Sequence, residues 1–293
     1  MSASYPKTPI FIVGAGRSGT NMLRDLLCRL PQFVTWPCDE INYIWRYGNR
    51  SFPTDQFTRD MASDKSARYI RKQFSALQRK HPEKTIIEKT CANSLRCGFL
   101  HEIFPDARFI HIIRDGRDVA ASAALRWGAS LDLGYVLKKA RFVPLSDVPF
   151  YAFRYLKSRA HKIVSGESRL STWGPKFDGM EECFIENSLL GGCAKQWEAC
   201  VLSSLTQLAE VPASQVMEVR YEAFTSEPAQ GLEAISNFLA VDCPVNSRIV
   251  DGVSSRSVGK WKQQVTEEQH SEIVQLVGDT LRRLGYSDPK PLQ

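Results

Sequence analysis

A glycine-rich segment near the start of the sequence could bind a phosphate group. Residues 14–20 read Gly-Ala-Gly-Arg-Ser-Gly-Thr and lie between a continuous apolar run at 9–13 and apolar residues with helical spacing at 20–30. Glycines let the backbone turn back so that successive N–H groups point into one concavity, and the following helix adds the positive end of its dipole. The sequence therefore predicts an anion site between a strand and a helix.

This segment departs from the P-loop of ATP-binding proteins. Gly14 and Gly19 have the spacing of that motif, but Thr20 stands where an NTPase has its phosphate-binding lysine. Asn21 stands where an NTPase has the Ser or Thr that binds magnesium. The segment is therefore suited to phosphate and poorly suited to magnesium-bound ATP.

Arg114 and Ser122 could form a second phosphate site. Arg114 directly follows a buried-strand pattern at 107–113, and Ser122 lies eight residues later in a predicted helix. Open α/β sheets bind ligands at the carboxyl ends of their strands, where a guanidinium and a hydroxyl can hold one anion in a fixed orientation. A lone arginine in this position is more often part of a surface ion pair, but residues 14–20 lie about a hundred positions earlier and favour a ligand.

Both segments resemble motifs of sulfotransferases that use 3′-phosphoadenosine 5′-phosphosulfate (PAPS). Residues 11–20 resemble the 5′-phosphosulfate loop in the Arg-Ser-Gly-Thr form of tyrosylprotein sulfotransferases and bacterial relatives, and residues 109–122 resemble the 3′-phosphate motif. Residues 88–90 with 100–109, 220–222 and 259–261 resemble further segments of that family. The resemblance implies that PAPS or its product PAP is bound by Arg17, Ser18, Gly19, Thr20, Asn21, Arg114, Ser122, Tyr221 and Lys260.

A catalytic base is expected just after the first helix. Glu40 lies where tyrosylprotein sulfotransferases carry their catalytic glutamate, with Asp39 as an alternative. His111 is a further alternative, although its place inside a strand favours a core position. The resemblance also implies that Lys89 and Arg17 stabilise charge on the leaving phosphate. No metal-ligand cluster is visible, and a PAPS mechanism does not require a metal.

The resemblance implies sulfuryl transfer to a hydroxyl or amine. The acceptor would be a small molecule, a saccharide or a peptide. Two alternatives stay open: a P-loop kinase that uses ATP, and a catalytically silent module that binds PAP.

Strands alternating with helices predict an α/β fold with a P-loop-type, doubly wound and mainly parallel sheet, helices on both faces, and a helical insertion or lid. The predicted strands are 9–13, 85–87, 107–113 and 215–219, and the predicted helices are 20–30, 55–80, 95–104, 117–127, 228–239 and 267–284. We expect one domain over 1–293, with 130–190 as an insertion on the acceptor side. Its aromatic residues, and those just before it, could stack on an acceptor or form the insertion's own core.

Composition narrows the classes of partner. The net charge of +6 suits an anionic ligand but is too small to indicate nucleic acid. The eight cysteines form no Cys-x-x-Cys pair, so we expect reduced thiols. No apolar run is long enough for a signal sequence or a membrane span, which predicts a soluble, cytoplasmic protein.

Overall fold

A parallel sheet forms the centre of the molecule. The computed structural model describes residues 7–127, 142–150, 173–242 and 247–286. Its five strands are β1 (Ile10–Val13), β2 (Phe33–Val34), β3 (Thr85–Glu88), β4 (Arg108–Ile113) and β5 (Val216–Arg220). They pair in the order β2-β3-β1-β4-β5, and every pair is parallel. All strands therefore end at one edge of the sheet.

Helices cover both faces of this sheet. They are α1 (Thr20–Leu27), α2 (Asn42–Trp45), α3 (Asp64–Lys80), α4 (Cys97–Ile103), α5 (Gly116–Trp127), α6 (Met180–Glu186), α7 (Leu189–Leu208), α8 (Tyr221–Ser226), α9 (Pro228–Leu239), α10 (Ser247–Val250) and α11 (Glu267–Arg283). Alternate residues of β1 point to opposite faces: Ile10 and Ile12 pack with α1 and α9, whereas Phe11 and Val13 pack with α3 and α4. The doubly wound α/β fold predicted from the sequence is confirmed.

Three predicted helices are shorter than expected. α3 begins at Asp64 rather than at residue 55, because Ser63 caps its start by accepting from the Ser66 amide. α1 ends at Leu27 rather than at residue 30, because the residue before Pro31 is disfavoured in a helical conformation. The helix expected at 95–104 is divided at Arg96, whose backbone leaves the helical region, into a 3-10 turn at Cys91–Leu95 and α4.

Only parts of the segment 130–190 fall within the described residues. Of its aromatic residues and those just before it, Trp127 packs on Phe184 and Phe142 packs on Trp36, with ring centroids 4.7 and 5.9 Å apart. Phe150 lies beneath the Arg50 guanidinium. These three aromatic side chains therefore contact the protein itself. Four others, Tyr135, Tyr151, Phe153 and Tyr155, lie outside the described residues.

Candidate active site

The glycine-rich loop after β1 is shaped by close contacts at two glycines. A Cβ atom on Gly14 would lie 2.6 Å from the carbonyl oxygen of Ile112, and one on Gly19 would lie 2.5 Å from the Tyr221 ring. Gly19 also has a φ of 92°, and Arg17 adopts a φ of 74°, which is uncommon for a residue with a side chain. Such strain persists where surrounding contacts impose it, and it is concentrated at functional sites.

The side chains of the loop suit an anion. Ser18 is 1% exposed, and its hydroxyl has no hydrogen-bond partner within the described parts of the chain. An unpaired buried hydroxyl is costly, and a phosphate oxygen would accept a hydrogen bond from it. Thr20, at the start of α1, places its hydroxyl 3.8 Å from the thiol of Cys91, whereas Asn21 is exposed.

The two predicted phosphate motifs meet in the structure. Arg17 donates a hydrogen bond from Nε to the Ser122 hydroxyl over 2.9 Å, and Arg114 donates from Nη1 to the carbonyl oxygen of Arg17 over 3.0 Å. Partial burial and the nearby guanidinium groups of Arg114 and Arg126 lower the pKa of Arg17. Positive charge therefore accumulates between the end of β1 and the first two turns of α5.

Arg114 is held in place from three sides. Its guanidinium lies over the Tyr221 ring at 4.4 Å and donates to the carbonyl oxygen of Ser257 over 2.5 Å. Trp197 of α7 donates from its indole nitrogen to the Arg114 carbonyl oxygen over 3.1 Å. Nε of Arg114 is buried and has no hydrogen-bond partner among the described residues, so the side chain retains a donor for an anion.

Asp118 ties a late loop to this cluster. Its carboxylate accepts hydrogen bonds from the amides of Gly259 and Trp261 and lies 3.5 Å from the Arg114 guanidinium. Lys260, between those two amides, is exposed at the start of a 3-10 turn. The sequence analysis missed Asp118, and also Trp197 and Ser257, because their partners lie far away in the chain and no local pattern marks them.

Glu40 and Lys89 form an ion pair beside the phosphate loop. Lys89 Nζ lies 3.3 Å from Glu40 Oε1, and the same oxygen accepts a hydrogen bond from the Cys91 amide over 3.2 Å. The Lys89 side chain is 2% exposed and that of Glu40 is 23% exposed. Burial lowers the pKa of Lys89, but Cys91 and the Glu40 carboxylate raise it by more, so the pKa is raised and the ammonium stays charged.

The two alternative bases have other partners. Asp39 lies 3.3 Å from the guanidinium of Arg24 on α1, and 44% of its side chain is exposed. His111 is buried in β4, where a 2.8 Å hydrogen bond joins it to Ser204 of α7. Burial and the charge of Arg220 lower the pKa of His111 to about 4. His111 is therefore a core residue, as its place in a strand suggested.

Two features are absent from the described ranges. No group of three or more His, Cys, Asp or Glu side chains there is placed to hold a metal ion. Within the same ranges, no helix has the length and apolar character needed to cross a membrane. The described cysteines are free thiols, namely Cys28, Cys38, Cys91, Cys97, Cys183, Cys193 and Cys200.

Comparison with known proteins finds a similarity to one family. The model of the sulfotransferase family matches residues 9–135, which contain both phosphate motifs, Glu40 and Lys89. The matched part, residues 9–135, is less than half of the 293-residue chain.

Solved sulfotransferases share the fold over nearly the whole chain. A sulfotransferase domain from the curacin biosynthetic pathway aligns with a TM-score of 0.56 at 15% identity and covers 96% of this chain and 99% of its own. The sulfotransferase domain of the Synechococcus PCC 7002 olefin synthase gives a TM-score of 0.55 at 15% identity, covering 99% and 98%. A sulfotransferase from Alicyclobacillus acidocaldarius gives 0.52 at 17% identity, covering 96% and 95%.

One curated relative is much longer than this chain. It is an uncharacterized protein of Aquifex aeolicus (strain VF5), 25% identical over 242 residues. The match covers 75% of this chain but only 30% of the relative.

Proposed function

We propose that this chain is a sulfotransferase that takes its sulfuryl group from PAPS and transfers it to a hydroxyl or amine of an acceptor, releasing PAP. The observation that carries the proposal is the Glu40–Lys89 pair, which is linked through Cys91 to the phosphate loop. A carboxylate and a buried ammonium are thereby held where the carboxyl ends of β1 and β3 meet. Both groups were expected from the sequence to act in catalysis.

The residues present fit the two phosphate groups of PAPS. The unpaired Ser18 hydroxyl and the N-terminus of α1 suit the 5′-phosphate, together with Gly19, Thr20 and Asn21. Arg114 and Ser122 suit the 3′-phosphate, because Nε of Arg114 is a buried donor without a partner among the described residues. Tyr221 would support the Arg114 side chain, and Lys260 would approach from the late loop.

The chemistry divides between Glu40 and the cations. PAPS supplies the sulfuryl group, whose bond to the 5′-phosphate oxygen breaks as the acceptor oxygen or nitrogen bonds to sulfur. Glu40 would take the proton that the acceptor loses. Lys89 and Arg17 would stabilise the negative charge that the leaving phosphate gains, because they are fixed before the reaction starts.

The ionic partners favour Glu40 over the other two candidate bases. Asp39 is exposed and paired with Arg24, so it would have to leave a guanidinium to approach an acceptor. His111 is buried against α7 and bonded to Ser204. Glu40 is partly exposed, and it is the one of the three that contacts Lys89.

Transfer from unlabelled PAPS tests the proposal. The purified chain is incubated with PAPS and pools of alcohols, phenols, saccharides, amines and peptides, with EDTA present, and sulfated products are detected by mass spectrometry. We expect compounds of one acceptor class to give products 80 Da heavier than the acceptors themselves, as SO₃ addition requires. An equal amount of PAP should form. Magnesium-dependent phosphorylation with ATP instead of sulfation would contradict the proposal and support a kinase. PAP binding without any transfer would support a silent module.

A further inference from the structure

A buried polar network lies directly behind Glu40. The Glu88 carboxylate, at the end of β3, is fully enclosed and accepts hydrogen bonds at both oxygens. Thr90 donates to Oε1 over 2.5 Å, and Asn93 donates to Oε2 over 2.6 Å. Burying a carboxylate is costly unless it is bonded in this way, so the network is a specific arrangement rather than a solvated surface group.

One branch of the network reaches the residue after Glu40. The Thr90 hydroxyl, which donates to Glu88, also accepts a hydrogen bond from the Ile41 amide over 3.2 Å. A hydroxyl can donate to a carboxylate or accept from a carboxylic acid, so this branch survives either protonation state of Glu88. The backbone at Ile41 is therefore fixed from the end of β3.

The second branch reaches the next residue along the chain. Asn93 accepts from Nε of Arg96 over 2.9 Å, and Nη2 of Arg96 donates to the Asn42 side chain over 2.6 Å. Asn42 in turn donates to Asp55 over 3.3 Å. The two oxygens of Glu88 are thus connected by separate chains of hydrogen bonds to Ile41 and Asn42, the two residues that follow Glu40.

The same strand end carries the partners of Glu40 itself. Lys89 and Cys91, which contact Glu40 Oε1, alternate in sequence with Glu88 and Thr90. Lys89 and Cys91 therefore bind the Glu40 carboxylate, while Thr90 binds the backbone next to Glu40. Given the proposed function, on which this step rests, we propose that Glu88 and Thr90 are positioning residues that aim the base Glu40 at the acceptor.

Replacing Thr90 by valine tests this role without changing the volume of the side chain. Thr90→Val removes the acceptor for the Ile41 amide, whereas Thr90→Ser keeps it and serves as the control. We expect Thr90→Val to lower kcat about 10- to 100-fold, since a displacement near 1 Å can cost that much. The KM for PAPS and the Kd for PAP should stay within about twofold, because Thr90 contacts neither phosphate motif. Thr90→Ser should restore most of kcat.

A double variant separates positioning from general structural damage. In a Glu40→Gln background, Thr90→Val should cause no further loss of kcat, because the group that it aims is already gone. Any one of three results would overturn the proposal. The first is a double variant whose loss of kcat is the product of the two single losses. The others are a Thr90→Val variant that loses PAP affinity along with kcat, and one whose kcat is unchanged. If Thr90→Val does not fold, Glu88→Gln is judged by the same three outcomes.

A structural readout distinguishes failure of this inference from failure of the proposed function. In a crystal structure of Thr90→Val, or of Glu88→Gln in its place, we expect Glu40 Oε1 to move away from Lys89 Nζ, to more than the 3.3 Å seen here. A Glu40 that stays in place refutes the positioning role, whatever the wild-type chain does with PAPS. If Glu40 is displaced in the variant but the wild-type chain transfers no sulfuryl group, the proposed function is refuted. The finding that Thr90 and Glu88 determine the position of Glu40 would still hold.

Discussion

Replacing Glu40 by glutamine separates the charge of this side chain from its shape. Glutamine keeps an oxygen that can accept from Lys89 and from the Cys91 amide, so the local geometry should persist. It cannot take a proton from an acceptor. We therefore expect kcat to fall about 10²- to 10⁴-fold, the usual cost of losing a general base, with the Kd for PAP nearly unchanged.

The same change should also destabilise the protein. Two unit charges 3.3 Å apart attract each other by about 5 kcal/mol at an effective dielectric constant of about 20. Glutamine removes this attraction and leaves Lys89 buried as an uncompensated cation, although partial exposure of Glu40 and the retained hydrogen bond reduce the cost. We expect the free energy of unfolding to fall by about 3 kcal/mol, measured by denaturant titration.

Asp39→Asn is the matched control. Its carboxylate neighbours Glu40 in sequence, but it is 44% exposed and pairs with Arg24, which also has Asp25 as a partner at 2.7 Å. A partly exposed ion pair whose cation keeps a second partner contributes about 1 kcal/mol or less, so stability should hardly change and turnover should remain. Wild-type turnover in Glu40→Gln would refute the assignment of the base, and loss of turnover in Asp39→Asn would show that the neighbouring carboxylate performs this role.

Three further outcomes are expected. PAP at about 100 times its Kd should add about 2.7 kcal/mol of stability without magnesium, and an unchanged melting temperature would contradict the cofactor assignment. Arg114→Ala should weaken PAP by about 2–5 kcal/mol and adenosine 5′-phosphosulfate much less, and equal losses in calorimetry would show that Arg114 does not contact the 3′-phosphate. His111, whose pKa burial lowers from 6.5 to about 4, should take up its proton only on unfolding, so it lowers stability by about 3 kcal/mol as pH falls through that range. Burial raises the pKa of Glu88 from 4.5 to about 7, which gives an opposite slope, so stability should be compared between wild type and His111→Gln at each pH, and parallel curves would refute the role of His111.

Local patterns predicted the elements that position the site. The strands predicted at 9–13, 85–87, 107–113 and 215–219 were found within one or two residues of these limits. A short continuous apolar run bounded by turn residues is the pattern of a strand buried on both faces, and β1 is buried at every position. The fold class followed from the alternation of these runs with helices.

Two elements had no local pattern to reveal them. β2 has only two residues, which is too short for any periodicity. α7 packs against α5 on one side and α11 on another, so its buried residues are not confined to one stripe, and the sequence analysis did not predict it. Its Trp197 nevertheless supports Arg114, so a part of the site went unpredicted along with the helix.

The contact of the glycine-rich loop with Tyr221 has a consequence for the order in which the chain folds. Gly19 belongs to the β1–α1 unit, yet its close neighbour Tyr221 follows β5. The hydrogen bond from Arg114 to the Ser257 carbonyl oxygen likewise joins residues 143 positions apart. Contacts of such sequence separation form slowly, because long stretches of chain must be ordered first. The anion site around the glycine-rich loop therefore takes its final shape only after β5 and Ser257 have been synthesised. A fragment that ends before β5 would carry the loop sequence without the complete site.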